Sequence, residues 1–408
     1  MSQRKRFVLQ LVMAIAILVL LVSVLIQQHK TAQVRGSVFL AGRPGQGVHV
    51  FERKGCVHCH AVNGWGGDAA PDLGLRRPPG TSLSELVTAM WNHAPRMWEQ
   101  MQAENINYPA LSRQEMADLF AFLYLSRYID EPGDADLGES LFTSKQCSRC
   151  HEQHGREDRI GPRLKDMGGV TTPIVWAQAM WNHAPAMEQA MKQIGLAWPE
   201  FEDREMNDLL AYIRARSGGV LRERELLPSD PIRGRKLFRD KGCTVCHSVG
   251  GKETDKAPDL GLRQGHPLTL IQFGGAMWNH SPLMWRAMEV ESVPRPTFEG
   301  EEMADLMAFL ASLRCFEPGG SPQIGESLIT ERGCARCHGQ GAEGAAGGPG
   351  LRGQGKSYTL VTFAEALWEH GPKMYRQTRE LGHEWPILNE DDVGNLLAFL
   401  NTALPEDE

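Results

Sequence analysis

Cys56-Val57-His58-Cys59-His60, Cys147-Ser148-Arg149-Cys150-His151, Cys243-Thr244-Val245-Cys246-His247 and Cys334-Ala335-Arg336-Cys337-His338 are four copies of one pentapeptide. Their first cysteines lie 91, 96 and 91 residues apart. A fixed period calls for a repeat reading before any other. A period near 90 residues is too long for a solenoid unit and fits a string of small domains. Two thiols one turn apart, followed at once by an imidazole, match the chemistry of covalent haem attachment: each thiol adds to one vinyl group, and the histidine is held beneath the iron. A zinc ribbon needs a second Cys-x-x-Cys about 15–20 residues away, whereas each unit here holds one pair. A thioredoxin-like pair needs a strand–helix–strand setting, for which the sequence carries no signal. A structural disulfide leaves the four histidines without a role.

Outward from the pentapeptides, four further features recur in register. A Gly-x-x-x-Phe start precedes each one, at Gly47/Phe51, Gly138/Phe142, Gly234/Phe238 and Gly325/Ile329, with Ile the one departure. Pro71, Pro162, Pro258 and Pro349 each lie 11 residues after a motif histidine, and Leu73, Leu164, Leu260 and Leu351 follow two residues later. A Trp-Asn-His-x-Pro-x-Met stretch comes next, at 91–97, 181–187, 278–284 and 368–374, where Glu369 replaces Asn. Each unit closes on an apolar i, i+3, i+4, i+7 stripe at 116–123, 206–213, 303–310 and 393–400, the pattern of a core-facing helix.

The chain has 408 residues, 42% apolar and 23% charged, with formal net charge −7. That composition supplies real cores, and with no basic stripe there is no case for a nucleic-acid partner. Residues 7–26 are apolar except for Gln10 and Ser23, and Arg4, Lys5 and Arg6 precede them. As a helix this stretch would span about 30 Å, a hydrocarbon core, and the flanking charge would place the N-terminus in the cytoplasm. A cleaved signal is the alternative, but no Ala-x-Ala pattern follows. Breaker-rich junctions such as Glu131-Pro132-Gly133-Asp134, Ser217-Gly218-Gly219 and Glu317-Pro318-Gly319-Gly320 divide the rest. The expected domains are an anchor over 1–35 and haem units over 36–132, 133–219, 220–318 and 319–408.

By these features each unit resembles a class I cytochrome c domain, over about residues 36–404. The resemblance implies an all-α fold, here an N-terminal transmembrane helix followed by four tandem class I cytochrome c-like domains, and four covalently attached haem c groups. It implies attachment at Cys56, Cys59, Cys147, Cys150, Cys243, Cys246, Cys334 and Cys337, with His60, His151, His247 and His338 as proximal iron ligands. It further implies that first and last helices of a unit cross, that a middle helix covers one haem edge, and that Pro71, Pro162, Pro258 and Pro349 offer carbonyls to the proximal histidines.

The sequence departs from the family on the distal side. Where the family carries methionine before a proline, this chain has Tyr108-Pro109, Trp198-Pro199, Arg295-Pro296 and Trp385-Pro386. Two columns are filled in all four units. Met97, Met187, Met284 and Met374 suit the family's chemistry and raise the potential; His93, His183, His280 and His370 are the alternative, histidine being the commoner metal ligand. A third column, Met101, Met191 and Met288, ends at Thr378. The proline between the His and Met columns is expected to open a new helix. Trp91, Trp181, Trp278 and Trp368 read as haem-packing or core residues, Cys315 as a buried thiol, and His58 has no counterpart. The expected function is electron relay on the periplasmic side of a bacterial inner membrane, between a membrane redox donor and a periplasmic or terminal acceptor. Alternatives are a haem subunit of a larger redox complex and, less favoured, a haem enzyme with one open iron.

Overall fold

The computed structural model describes residues 42–74, 82–127, 132–151, 161–169, 172–202, 204–218, 230–249, 256–261, 269–313, 319–353, 355 and 357–403. Each of the four units is built from an opening helix, the motif turn, a middle helix and a closing helix. The opening helices are Pro44–Arg53, Ala135–Ser144, Pro231–Asp240 and Pro322–Glu331. Three begin with proline in the first turn, where its missing N–H costs nothing. Asp134, Asp230 and Ser321 cap the last three through their side chains. The closing helices are Arg113–Ser126, Glu205–Ser217, Glu302–Ser312 and Glu390–Leu400.

Opening and closing helices cross at the Gly-x-x-x-Phe signature, and the glycine is there because the backbones touch. A Cβ on Gly47, Gly138, Gly234 or Gly325 would collide with the carbonyl oxygen of Asp118, Asp208, Asp305 or Asn395 respectively. One turn on, Phe51, Phe142 and Phe238 meet Phe122, Tyr212 and Phe309, each pair with ring centroids 5.5 Å apart. The same Asp/Asn column locks the crossing: its Oδ1 accepts the backbone N–H of Arg43, Asp134, Asp230 or Ser321 at 2.7–2.8 Å.

The middle helices are Leu83–Ala103, Pro173–Gln193, Leu270–Val290 and Leu360–Glu380, each of 21 residues. They correct the expected break at proline. Each helix runs straight through Pro95, Pro185, Pro282 or Pro372. A mid-helix proline strips the carbonyl four residues back of its donor. In two units that carbonyl finds another one: Trp385 Nε1 donates to the Trp91 carbonyl, and Trp198 Nε1 to the Trp278 carbonyl, both at 3.3 Å.

Those donors come from a different unit, because the units associate in pairs. The middle helices of the first and fourth pack together, as do those of the second and third. The first and fourth share one hydrophobic core. Ile271, Trp278 and Trp285 of the third unit sit in the second unit's core, while Ile174, Ala177 and Trp181 of the second sit in the third's. The Trp-Asn half of the repeated motif is what joins them. Trp91, Trp181, Trp278 and Trp368 donate Nε1–H to the carbonyls of Pro386, Pro296, Pro199 and Pro109 at 2.7–2.8 Å. Asn92, Asn182 and Asn279 bind both backbone groups of Leu388, Phe298 and Phe201, donating at 2.7–2.8 Å and accepting at 2.9 Å. Indole stacking adds to this, Trp198 on Trp278 at 4.1 Å and 21°, Trp385 on Trp91 at 4.2 Å and 32°. Gly371 lets the helices come this close, since a Cβ there would run into the Trp98 ring.

One part of the expected fold class is corrected. Among the described residues no helix is long and apolar enough to cross a membrane. The middle helices have the length, but residues such as Glu85, Asn92, Arg96 and Glu99 break the apolar run a span requires. The expected span at 7–26 lies outside the described residues, as does Cys315. Strand is confined, among the described residues, to the two-residue pair Ala61–Val62 and Trp65–Gly66 in the first unit.

Candidate haem sites

Each pentapeptide forms one tight turn between opening and middle helices. The residue before the first cysteine is left-handed in all four: Gly55, Gly242 and Gly333 at φ 78–81°, and Gln146 at 60°. That reversal ends the opening helix and starts the motif turn. The histidine N–H then donates to the first cysteine's carbonyl at 2.9–3.0 Å, so two sulfurs and one imidazole share a single helical turn. Glycine directly before cysteine in three copies was a readable signal that the sequence analysis passed over.

The proline 11 residues on closes the proximal side. Nδ1 of His60, His151, His247 and His338 lies 2.9, 3.0, 3.1 and 2.8 Å from the carbonyl oxygen of Pro71, Pro162, Pro258 and Pro349. A carbonyl only accepts, so Nδ1 carries the proton. That leaves Nε2 as the nitrogen through which a metal can be held, with the ring plane fixed, the arrangement a metal-bound imidazole needs.

Burial pushes the first thiol of three motifs, Cys56, Cys147 and Cys243, up to about 11, and raises that of Cys334. Thiolates are the metal-binding form of cysteine, so these thiols are poor ligands for a bare cation. Among the described residues no three His, Cys, Asp or Glu side chains gather to hold a metal ion by themselves. Both facts suit thioether attachment of a cofactor that brings its own iron.

The second unit shows the space for it. A cavity of about 320 Å³ is lined by Cys147, Cys150 and His151 together with His183 and Met187, with Trp278 of the third unit in its wall. Trp176 also lines it, and its buried Nε1 has no hydrogen-bond partner within the protein. An orphaned donor at the edge of an apolar cavity fits an acidic group on the occupant, and a haem propionate is such a group. The residues therefore fit haem c.

The distal columns fall on one face of each middle helix. Met180, His183, Met187 and Met191 all line the second unit's cavity. The imidazoles of His60 and His93 have ring centroids 6.4 Å apart, those of His151 and His183 6.2 Å. Burial lowers the pKa of His93, and the nearby His60 and Arg96 add to this. Three of the four slots before proline, Trp198, Arg295 and Trp385, pack on indole rings. Trp198 and Trp385 stack on the paired unit, and the Arg295 guanidinium lies 4.8 Å over Trp285.

No solved structure matches the chain. The family model for cytochrome c matches it four times, over residues 45–124, 135–217, 232–314 and 323–403. Four matches across most of the chain, each enclosing one pentapeptide and its proline, show that the chain belongs to the cytochrome c family, as a multihaem electron-transfer cytochrome with four covalently attached haem c groups.

Proposed function

We propose that this cytochrome relays electrons between a donor and an acceptor protein outside the cytoplasm, and that its haems work as two coupled pairs, one in domains one and four, the other in domains two and three. The observation that carries this is Trp278: a residue of the third domain that forms part of the wall of the second domain's haem cavity. Two sites of a pair thus share structure. Haem c supplies reversible one-electron chemistry at iron. The chain's own residues supply the rest. The paired cysteines tether, the proximal histidines are oriented by proline carbonyls, and the tryptophans exclude water from the wall between sites. A net charge of −7, made more negative by propionates, favours a partner with a basic docking face.

Spectroelectrochemical titration of the purified holoprotein tests this. The expected result is four one-electron steps in which oxidising one haem raises its pair-mate's potential. Four non-interacting steps would remove the pairing. A haem that binds carbon monoxide in the reduced native protein would replace relay with catalysis.

A further inference from the structure

We propose that His93 and His183 are the distal iron ligands of the first and second haems, making both sites bis-histidine rather than histidine–methionine. This rests on the haem-relay reading and names its ligands.

The middle helix offers four side chains on one stripe, Met180, His183, Met187 and Met191 in the second domain, and all reach the cavity. Only one can stand over the iron, because residues four apart on a helix are separated by about 6 Å along its axis. The separation from the proximal histidine selects it. With metal–nitrogen bonds of about 2 Å and about 1.1 Å from nitrogen to ring centre, two imidazoles trans on one metal have centroids about 6.2 Å apart. The separations are 6.4 Å for His60–His93 and 6.2 Å for His151–His183. Edge-to-face aromatic contact also covers this range, but His151 and His183 both line the cavity that Cys147 and Cys150 line, where a tethered haem would lie. The third domain shows how the helix prepares its histidine: His280 Nδ1 donates to the Ala276 carbonyl one turn back at 2.8 Å, leaving Nε2 as the free donor. The methionine a turn further on, Met187, is packed against the second domain's core.

The test reads spin state, which does not depend on finding the redox partners. In the ferric holoprotein, His183→Ala is expected to turn one of four haems high-spin and, on reduction, to make it bind carbon monoxide. Met187→Ala is expected to leave all four low-spin. The reverse pattern would overturn the assignment while leaving electron relay intact. Should His183→Ala fail to fold, the native protein decides: the near-infrared sulfur-to-iron charge-transfer band should account for at most two of the four haems, and a band accounting for three or four would overturn the proposal.

Discussion

Asn279→Ala puts the pairing of domains to a quantitative test. Asn279 donates to the Phe201 carbonyl at 2.8 Å and accepts the Phe201 N–H at 2.9 Å. Phe201 is 7% exposed, so water has little access to the groups the substitution would orphan. A typical bond contributes about 0.5–1.5 kcal/mol, and leaving a buried polar group without a partner costs about 1–3 kcal/mol. Loss of both bonds is therefore expected to cost the second–third pair roughly 2–4 kcal/mol. The fourth domain supplies the converse. Glu369 stands where the other domains have Asn, and a carboxylate has no N–H to offer the backbone of Leu111, the residue two past Pro109 as Phe201 is two past Pro199. Glu369→Asn should add about 1 kcal/mol to the first–fourth pair, raising its Tm by roughly 2–4 °C. Thermal and guanidinium unfolding of the holoprotein would measure both, with the haem absorption spectrum as a check that the sites are unchanged. If Asn279→Ala melts with the parent and Glu369→Asn melts at or below it, the Trp-Asn motif does not hold the pairs together.

Two further outcomes follow from the packing and the charges. Gly234→Ala drives a methyl into the Asp305 carbonyl and should cost the third domain about 1–3 kcal/mol or more, read as a lowered guanidinium midpoint; an unchanged midpoint would mean that the helices separate without penalty. Glu115 is held well below the usual carboxylate range, at about 2, by the Ser112 backbone N–H and by Arg53 and Lys54; a depressed folded pKa contributes stability that is present above the unfolded value and lost as pH falls through the folded one, so acid loss between about pH 4.5 and pH 2 should shrink in Glu115→Gln, as a pH series of unfolding curves would show.

What the sequence made legible is what is local along the chain. The pentapeptide turn and the amphipathic closing helix have their partners within one unit, so spacing pointed to them, and the resemblance to class I cytochrome c domains supplied the role of the proline carbonyl 11 residues on. The proline in the middle helix misled for the opposite reason. Its cost is local, but the indole that relieves it at Trp91 comes from Trp385, 294 residues away, and no periodicity records that. The Trp column, read as haem-packing or core residues, does both, since Trp91, Trp181 and Trp278 are buried in the cores and Trp278 lines a haem cavity; what spacing did not show is that its N–H answers to the paired domain's proline. The column Asp118, Asp208, Asp305 and Asn395 was visible as a repeat. Its work, bonding a backbone N–H at the start of the opening helix, appears only once the two helices are seen to cross.

The two departures from the family pattern are one change. A class I domain needs the segment before its closing helix to turn a methionine inward, toward the iron. Here that segment carries no methionine before its proline, and its proline carbonyls at 109, 199, 296 and 386 accept the indoles of the paired domain, while Leu196, Pro199 and Phe201 of the second domain still line the haem cavity. A backbone held in that way, and by asparagines on both its N–H and C=O in three of the four domains, is committed to the paired domain and presents tyrosine, tryptophan or arginine, not a thioether, before its proline. On the proposed ligation the sixth position falls to the middle helix, whose stripe carries histidine and methionine in every unit. The tryptophan and asparagine of the motif hold the neighbouring domain, and the histidine and methionine a few residues on face the cofactor. On that proposal, pairing of domains and ligation from a helix go with one change, the segment before the closing helix being committed to the paired domain.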